Sequence, residues 1–80
     1  MGTSNRLLGD ININDQVLIA RTTRPGTDHM QYVWVLVCAR RDEIGNLCAH
    51  RYGANGSDFH RRKCPACQDG RPGLTIDGLI

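Results

Sequence analysis

The chain has 80 residues, 40% of them hydrophobic, and a formal net charge of +2. That length accommodates one small domain, residues 1–80, whose core is too thin to dispense readily with a metal, disulfides or a partner. The longest apolar run, Val33–Ala39, is far short of a membrane span, and the N-terminus lacks the basic and apolar regions of a signal peptide, so a cytoplasmic location is expected.

Residues 1–10 are polar and Gly-containing and read as a loose lead-in. Asn14-Asp15 marks a turn, and Gln16–Ala20 reads as a short strand. Arg24-Pro25-Gly26-Thr27-Asp28 is a loop signal, because Pro fixes φ and Gly supplies freedom. A second strand starts at Gln31. It places Tyr32, Trp34, Leu36 and Cys38 on one face and Val33, Val35, Val37 and Ala39 on the other. Both faces are apolar, which predicts a central, covered strand and an N-terminal hairpin over about 14–39.

Arg40–Asn46 is a charged turn with Gly45-Asn46 at its tip, and Leu47–Tyr52 reads as a short strand leading back. Ala54–Asp58 contains Asn-Gly and predicts another turn. Ser57 or Asp58 then caps a brief helical turn through Phe59 to Arg62. After Cys64-Pro65-Ala66-Cys67, the alternation of Leu74, Ile76 and Leu79 predicts a closing edge strand. With no internal repeat and no long amphipathic helix, the fold class is small and β-rich, with antiparallel strands and irregular loops.

The second half is rich in Arg, Gly, Asn, Asp, His and Cys and cannot fold on apolar burial alone. Its cysteines supply an organiser. Zinc favours four ligands in a tetrahedron, commonly presented in pairs by short loops. Cys64-Pro65-Ala66-Cys67 forms such a half-site, with Pro65 stiffening the turn and Gly70 letting the chain bend beneath the metal. Fifteen residues separate Cys48 from Cys64, a normal spacing for the other half. In a reducing cytosol, clustered cysteines bind metal more often than each other.

The run Cys48-Ala49-His50-Arg51-Tyr52-Gly53 ahead of Lys63-Cys64-Pro65-Ala66-Cys67 resembles the zinc-ribbon and rubredoxin-like knuckle group over about residues 36–73. The resemblance implies a β-hairpin carrying each half-site, with one structural Zn2+ between the tips. Cys38, Cys48, Cys64 and Cys67 are then the metal ligands. The first half departs from the pattern: a regular knuckle has a cysteine three residues after Cys38, where this chain has Arg41. Ala39–Leu47 is read as an inserted loop whose ends still meet, which costs little extra closure entropy. His50 and His60 are the alternatives to Cys38 as fourth ligand, and iron is the alternative metal. His29 reads as an ordinary surface residue.

A closed set of four sulfurs leaves no position for reacting water, so no enzymatic activity is expected. Cys64-Pro65-Ala66-Cys67 also resembles the glutaredoxin-type redox pair, but that chemistry needs a helix after the first cysteine, which Gln68–Gly73 will not carry. Gly53, Gly56, Gly70 and Gly73 read as turn residues rather than a phosphate loop. There is no paired-carboxylate or Ser-His-Asp arrangement, and no small-molecule substrate or membrane partner is expected.

Nine of the ten basic residues are Arg, which suits phosphates and base edges. Four thiolates and one Zn2+ bring the loaded chain to about zero net charge, so the distribution of charge matters more than its total. Arg51, Arg61, Arg62, Lys63 and Arg71 are expected to form a nucleic-acid-binding face, with Tyr52 and Phe59 stacking on bases. The alternative duty of these cations is to keep the thiolates ionised. The competing function is a protein adaptor or inhibitor, of the kind phages and mobile elements encode, docking through the Trp34 strand or the Leu74–Ile80 tail.

Overall fold

A computed structural model describes residues 7–27 and 30–78. They form a three-stranded antiparallel sheet in the order β1 (Gln16–Pro25), β2 (Tyr32–Cys38), β3 (Arg51–Asn55), followed by a 3-10 helix at Gly56–Arg61. β2 is central, as its two apolar faces require. Gln16 pairs with Cys38, Leu18 with Leu36, and on the other side Leu36 with Tyr52 and Trp34 with Ala54. β1 runs further than predicted, through Thr22 and Thr23 into Pro25. Register shifts absorb the extra residues, and the Thr22 hydroxyl donates to the Val33 carbonyl at 2.7 Å. β3 begins later than predicted. The expected turn at Asn55-Gly56 is where β3 hands over to the 3-10 helix, whose N-cap Asn55 makes no side-chain cap bond.

One sheet face carries the core. Leu18, Leu36, Tyr52 and Ala54 are buried there beneath Phe59 of the 3-10 helix, with Trp34 packed at the edge, 6.1 Å from the Phe59 ring. Val33 and Val35 are buried on the opposite face, where Val33 lies beside the C-terminal segment. Gly53, read from sequence as a turn residue, instead sits inside β3. A Cβ there would lie 2.8 Å from Val33 Cγ1, 2.9 Å from the Leu74 carbonyl oxygen and 3.1 Å from Ile76 Cγ2. Close approach of the tail is what requires glycine. The predicted closing strand reduces to a single bridge between Gly53 and Leu74. Beyond it, the Arg24 guanidinium crosses from β1 to hold the carbonyls of Thr75 and Asp77. Leu79 and His29, both interpreted from sequence, lie outside the described residues.

From Leu7 onward the lead-in is ordered against β1: Gly9 N–H donates to the Leu18 carbonyl and Leu18 N–H to the Asp10 carbonyl. Asn12 anchors this segment to the helix. Its buried amide donates to the carbonyls of Phe59 at 2.6 Å and Arg62 at 2.9 Å, while its oxygen accepts from the backbone of Asn14 and Gln16. One short side chain thereby satisfies four backbone groups, three of them buried, and fixes where the chain enters the cysteine loop. Among the described residues, no helix is long and apolar enough to cross a membrane.

Candidate metal centre

Cys38, at the end of β2, faces the core side of the sheet. Beyond it the strands β2 and β3 continue as an irregular ladder: Cys38 N–H donates to the His50 carbonyl, Ala49 N–H to the Cys38 carbonyl, and Cys48 N–H to the Arg40 carbonyl. The Ala39–Leu47 insertion is a small hairpin arm growing from this ladder. Arg41 bridges to Leu47, and the Asp42 carboxylate accepts from the backbone of Ile44 and Asn46 to close the tip. Gly45, at φ 91°, supplies the left-handed residue the tip requires. The ends of the insertion meet, and Cys38 and Cys48 come side by side.

The other pair comes from a knuckle. Ala66 N–H donates to Cys64 Sγ at 3.3 Å, and the backbone N–H groups of Gln68 and Gly70 both donate to the Cys64 carbonyl. Gly70 passes so close beneath the loop that a Cβ would lie 2.2 Å from the Lys63 carbonyl oxygen. The two half-sites converge: the four Sγ atoms lie within 4.8 Å of one another. Cys38 and Cys67 sulfurs are 3.6 Å apart, and those of Cys48 and Cys64 3.9 Å apart. Tetrahedral zinc with Zn–S bonds of about 2.3 Å places its sulfurs about 3.8 Å apart, so the two spacings bracket the required edge. All four cysteines are free thiols. Four cysteines are therefore positioned to coordinate one metal ion.

Comparison with protein-family models, with curated proteins and with solved structures returned no match. The reading of this centre therefore rests on its chemistry.

Neither alternative histidine joins the sulfurs. His50 turns its ring onto Tyr52, with centroids 5.7 Å apart, and His60 lies exposed on the 3-10 helix. The sulfurs hold their protons unequally. Burial pushes the Cys38 thiol up, but hydrogen bonds from the Gln16 amide and the Arg40 backbone outweigh it, so Cys38 is lowered overall. Cys67 is exposed as a residue, yet the loss of water around its sulfur and the neighbouring sulfurs raise it to about 12. A divalent cation displaces such protons, so zinc affinity falls as acid is added.

Gln16, read from sequence only as the start of a strand, braces the centre from behind. It is fully buried. Its amide donates to Cys38 Sγ at 3.2 Å and to Gln68 Oε1, and its oxygen accepts from the Tyr52 hydroxyl at 2.7 Å. Gln68 Oε1 in turn accepts from Cys64 N–H at 2.7 Å. Burial lifts the Tyr52 hydroxyl well above the ordinary phenol range, so it stays a neutral donor. This network ties both halves of the centre to the core. Gln16→Leu is expected to lower stability by about 2–3 kcal/mol, because the Tyr52 hydroxyl and Gln68 oxygen lose a buried partner. Zinc affinity should fall about 10- to 100-fold, measured by competition with a chromophoric chelator.

Several expected binding residues are placed differently. Tyr52 is 3% exposed and Phe59 1%, so neither ring is offered to a base. Arg62 is 7% exposed: its guanidinium lies over the Tyr52 ring, 5.1 Å from the centroid, and donates to the Arg71 carbonyl. Among the described residues its Nε finds no hydrogen-bond acceptor, and the guanidinium gains a cation–π contact with Tyr52. Arg51, Arg61, Lys63 and Arg71 are exposed. Arg61, Lys63 and Arg71 line one cleft with the edge of Arg62, whereas Arg51 is not among its lining residues.

Proposed function

We propose that this chain is a small zinc-stabilised binding module, with a zinc-ribbon-like centre of structural rather than catalytic role, that engages nucleic acid through exposed cations. The observation supporting a structural metal is the closed four-sulfur set, which leaves zinc no open position. Free thiols at this spacing also favour a reducing compartment such as the cytoplasm. The nucleic-acid reading rests on Arg61, Lys63 and Arg71 converging on one cleft next to the knuckle. With Tyr52 and Phe59 interior, contact is made to phosphates rather than by stacking on bases.

The reading predicts binding driven by counterion release. Four cations, Arg51 included, give a slope of log affinity against log salt of up to about −3 to −4 on duplex DNA. Single strands should bind no tighter than duplex, because the rings of Tyr52 and Phe59 are buried. Fluorescence anisotropy across a salt series checks both points, and the absence of any salt-sensitive binding at low ionic strength sinks the reading.

A protein-docking role has a specific observation in its favour. Trp34 and Ile76 are engaged in packing, but Tyr32, on the same strand as Trp34, is exposed, and so are Leu7, Leu8, Ile11 and Ile13 beside β1, Met30, and Ile44 and Leu47 on the hairpin arm. A partner held there would bind with little salt dependence, which separates the two readings in the same titration.

A further inference from the structure

The cleft beside the knuckle has a defined charge pattern. Its walls are the end of the 3-10 helix with the entry to the metal loop (Asp58, Arg61, Arg62, Lys63) and the exit from that loop (Asp69, Gly70, Arg71). Its volume is about 340 Å³, in the lower range of small-ligand sites. Arg62 braces the two walls by donating to the Arg71 carbonyl. Among the described residues no ion pair joins these side chains to each other or to a neighbour. Arg61, Lys63 and Arg71 are exposed and line the cleft together. A phosphate monoester carries about −1.5 to −2 at neutral pH and so gains more from these three cations than a phosphodiester, which carries a single negative charge.

We infer that this cleft binds a dianionic phosphate monoester, with Arg61, Lys63 and Arg71 as the contacting cations. The inference rests on the nucleic-acid reading only for what bears the phosphate, which on that reading is a phosphorylated strand end rather than an internal linkage. The walls are the segments entering and leaving the metal loop, so the site exists in the zinc-loaded chain.

The test is an NMR titration of the zinc-loaded full chain with methyl phosphate and, separately, dimethyl phosphate, following the backbone amides of Lys63, Gly70 and Arg71. Methyl phosphate should shift these amides and bind about tenfold more tightly than dimethyl phosphate, the worth of one charge-assisted contact. Lys63→Gln with Arg71→Gln should weaken methyl phosphate at least tenfold while retaining one zinc per chain, and Arg51→Gln should change it less than twofold. Equal affinity for the two esters, or shifts confined to other residues, overturns the proposal. A parallel arm compares oligonucleotides bearing a 5′-phosphate or a 5′-hydroxyl. Preference for the phosphate identifies the strand end as its bearer. If methyl phosphate occupies the cleft but no oligonucleotide binds, the cleft proposal stands and the nucleic-acid reading fails. If oligonucleotides bind without shifting the cleft amides, the chain binds nucleic acid through another surface and the cleft proposal falls.

Discussion

Stripping zinc with a strong chelator is expected to unfold the chain cooperatively, and restoring zinc to refold it. The buried hydrophobic set of the described residues is small: Leu18, Val33, Val35, Leu36, Tyr52, Ala54 and Phe59, with Cys38 and Cys64. A domain this size has a stability of about 5–10 kcal/mol at most, whereas a structural zinc site contributes about 10–16 kcal/mol at neutral pH. The metal's contribution exceeds the total, so the metal-free chain lies on the unfolded side. Far-ultraviolet circular dichroism with and without chelator checks this, together with the collapse of amide dispersion in NMR. The geometry points the same way: Cys38 terminates the central strand and Cys64 is fully buried beside the core, so the loss of the metal reaches the sheet.

Gly70→Ala is expected to be the most damaging single substitution outside the cysteines. An added methyl would meet the Lys63–Cys64 backbone, 2.2 Å from the Lys63 carbonyl oxygen, 2.7 Å from the Lys63 carbonyl carbon and 3.1 Å from the Cys64 carbonyl carbon. No side chain is there to move aside, so the knuckle itself must spread, and the Gly70 N–H bond to the Cys64 carbonyl goes with it. A cost of about 3–5 kcal/mol is typical of strain that nothing can relieve, and it should appear as a loss of zinc affinity of about 100-fold or more. Gly45→Ala is the control. That glycine has a left-handed φ of 91° but open space around it, so alanine should cost only about 1–2 kcal/mol and leave zinc affinity nearly unchanged.

The parts of this structure legible in the sequence are those whose chemistry is specified locally. Cys64-Pro65-Ala66-Cys67 announces a half-site because its spacing alone brings two sulfurs together. Val33–Val37 announces a central strand because every position is apolar. Asp42, Gly45 and Asn46 announce the turn that lets Cys38 and Cys48 meet across nine intervening residues. What escaped reading depends on where distant segments cross. Arg62 and Tyr52 each have an apolar body and a polar end, so composition leaves them free to lie outside; packing of the 3-10 helix onto β2 and β3 puts both inside. Gln16 and Asn12 are polar residues next to turn signals, and nothing local reveals that their amides reach Cys38 or the carbonyls of Phe59 and Arg62. Gly53 reads as a turn residue because the Leu74 carbonyl and Ile76 side chain that crowd it come more than twenty residues downstream. In each case the missing information was a long-range contact.

X-ray absorption at the zinc edge, on protein purified without added chelator and with its metal content counted by native mass spectrometry, bears most directly on the convergence of Cys38, Cys48, Cys64 and Cys67. One zinc per chain, surrounded by four sulfurs at about 2.3 Å, is the expected result. A chain that retains no metal, or a shell in which nitrogen or oxygen replaces one of the sulfurs, would contradict it.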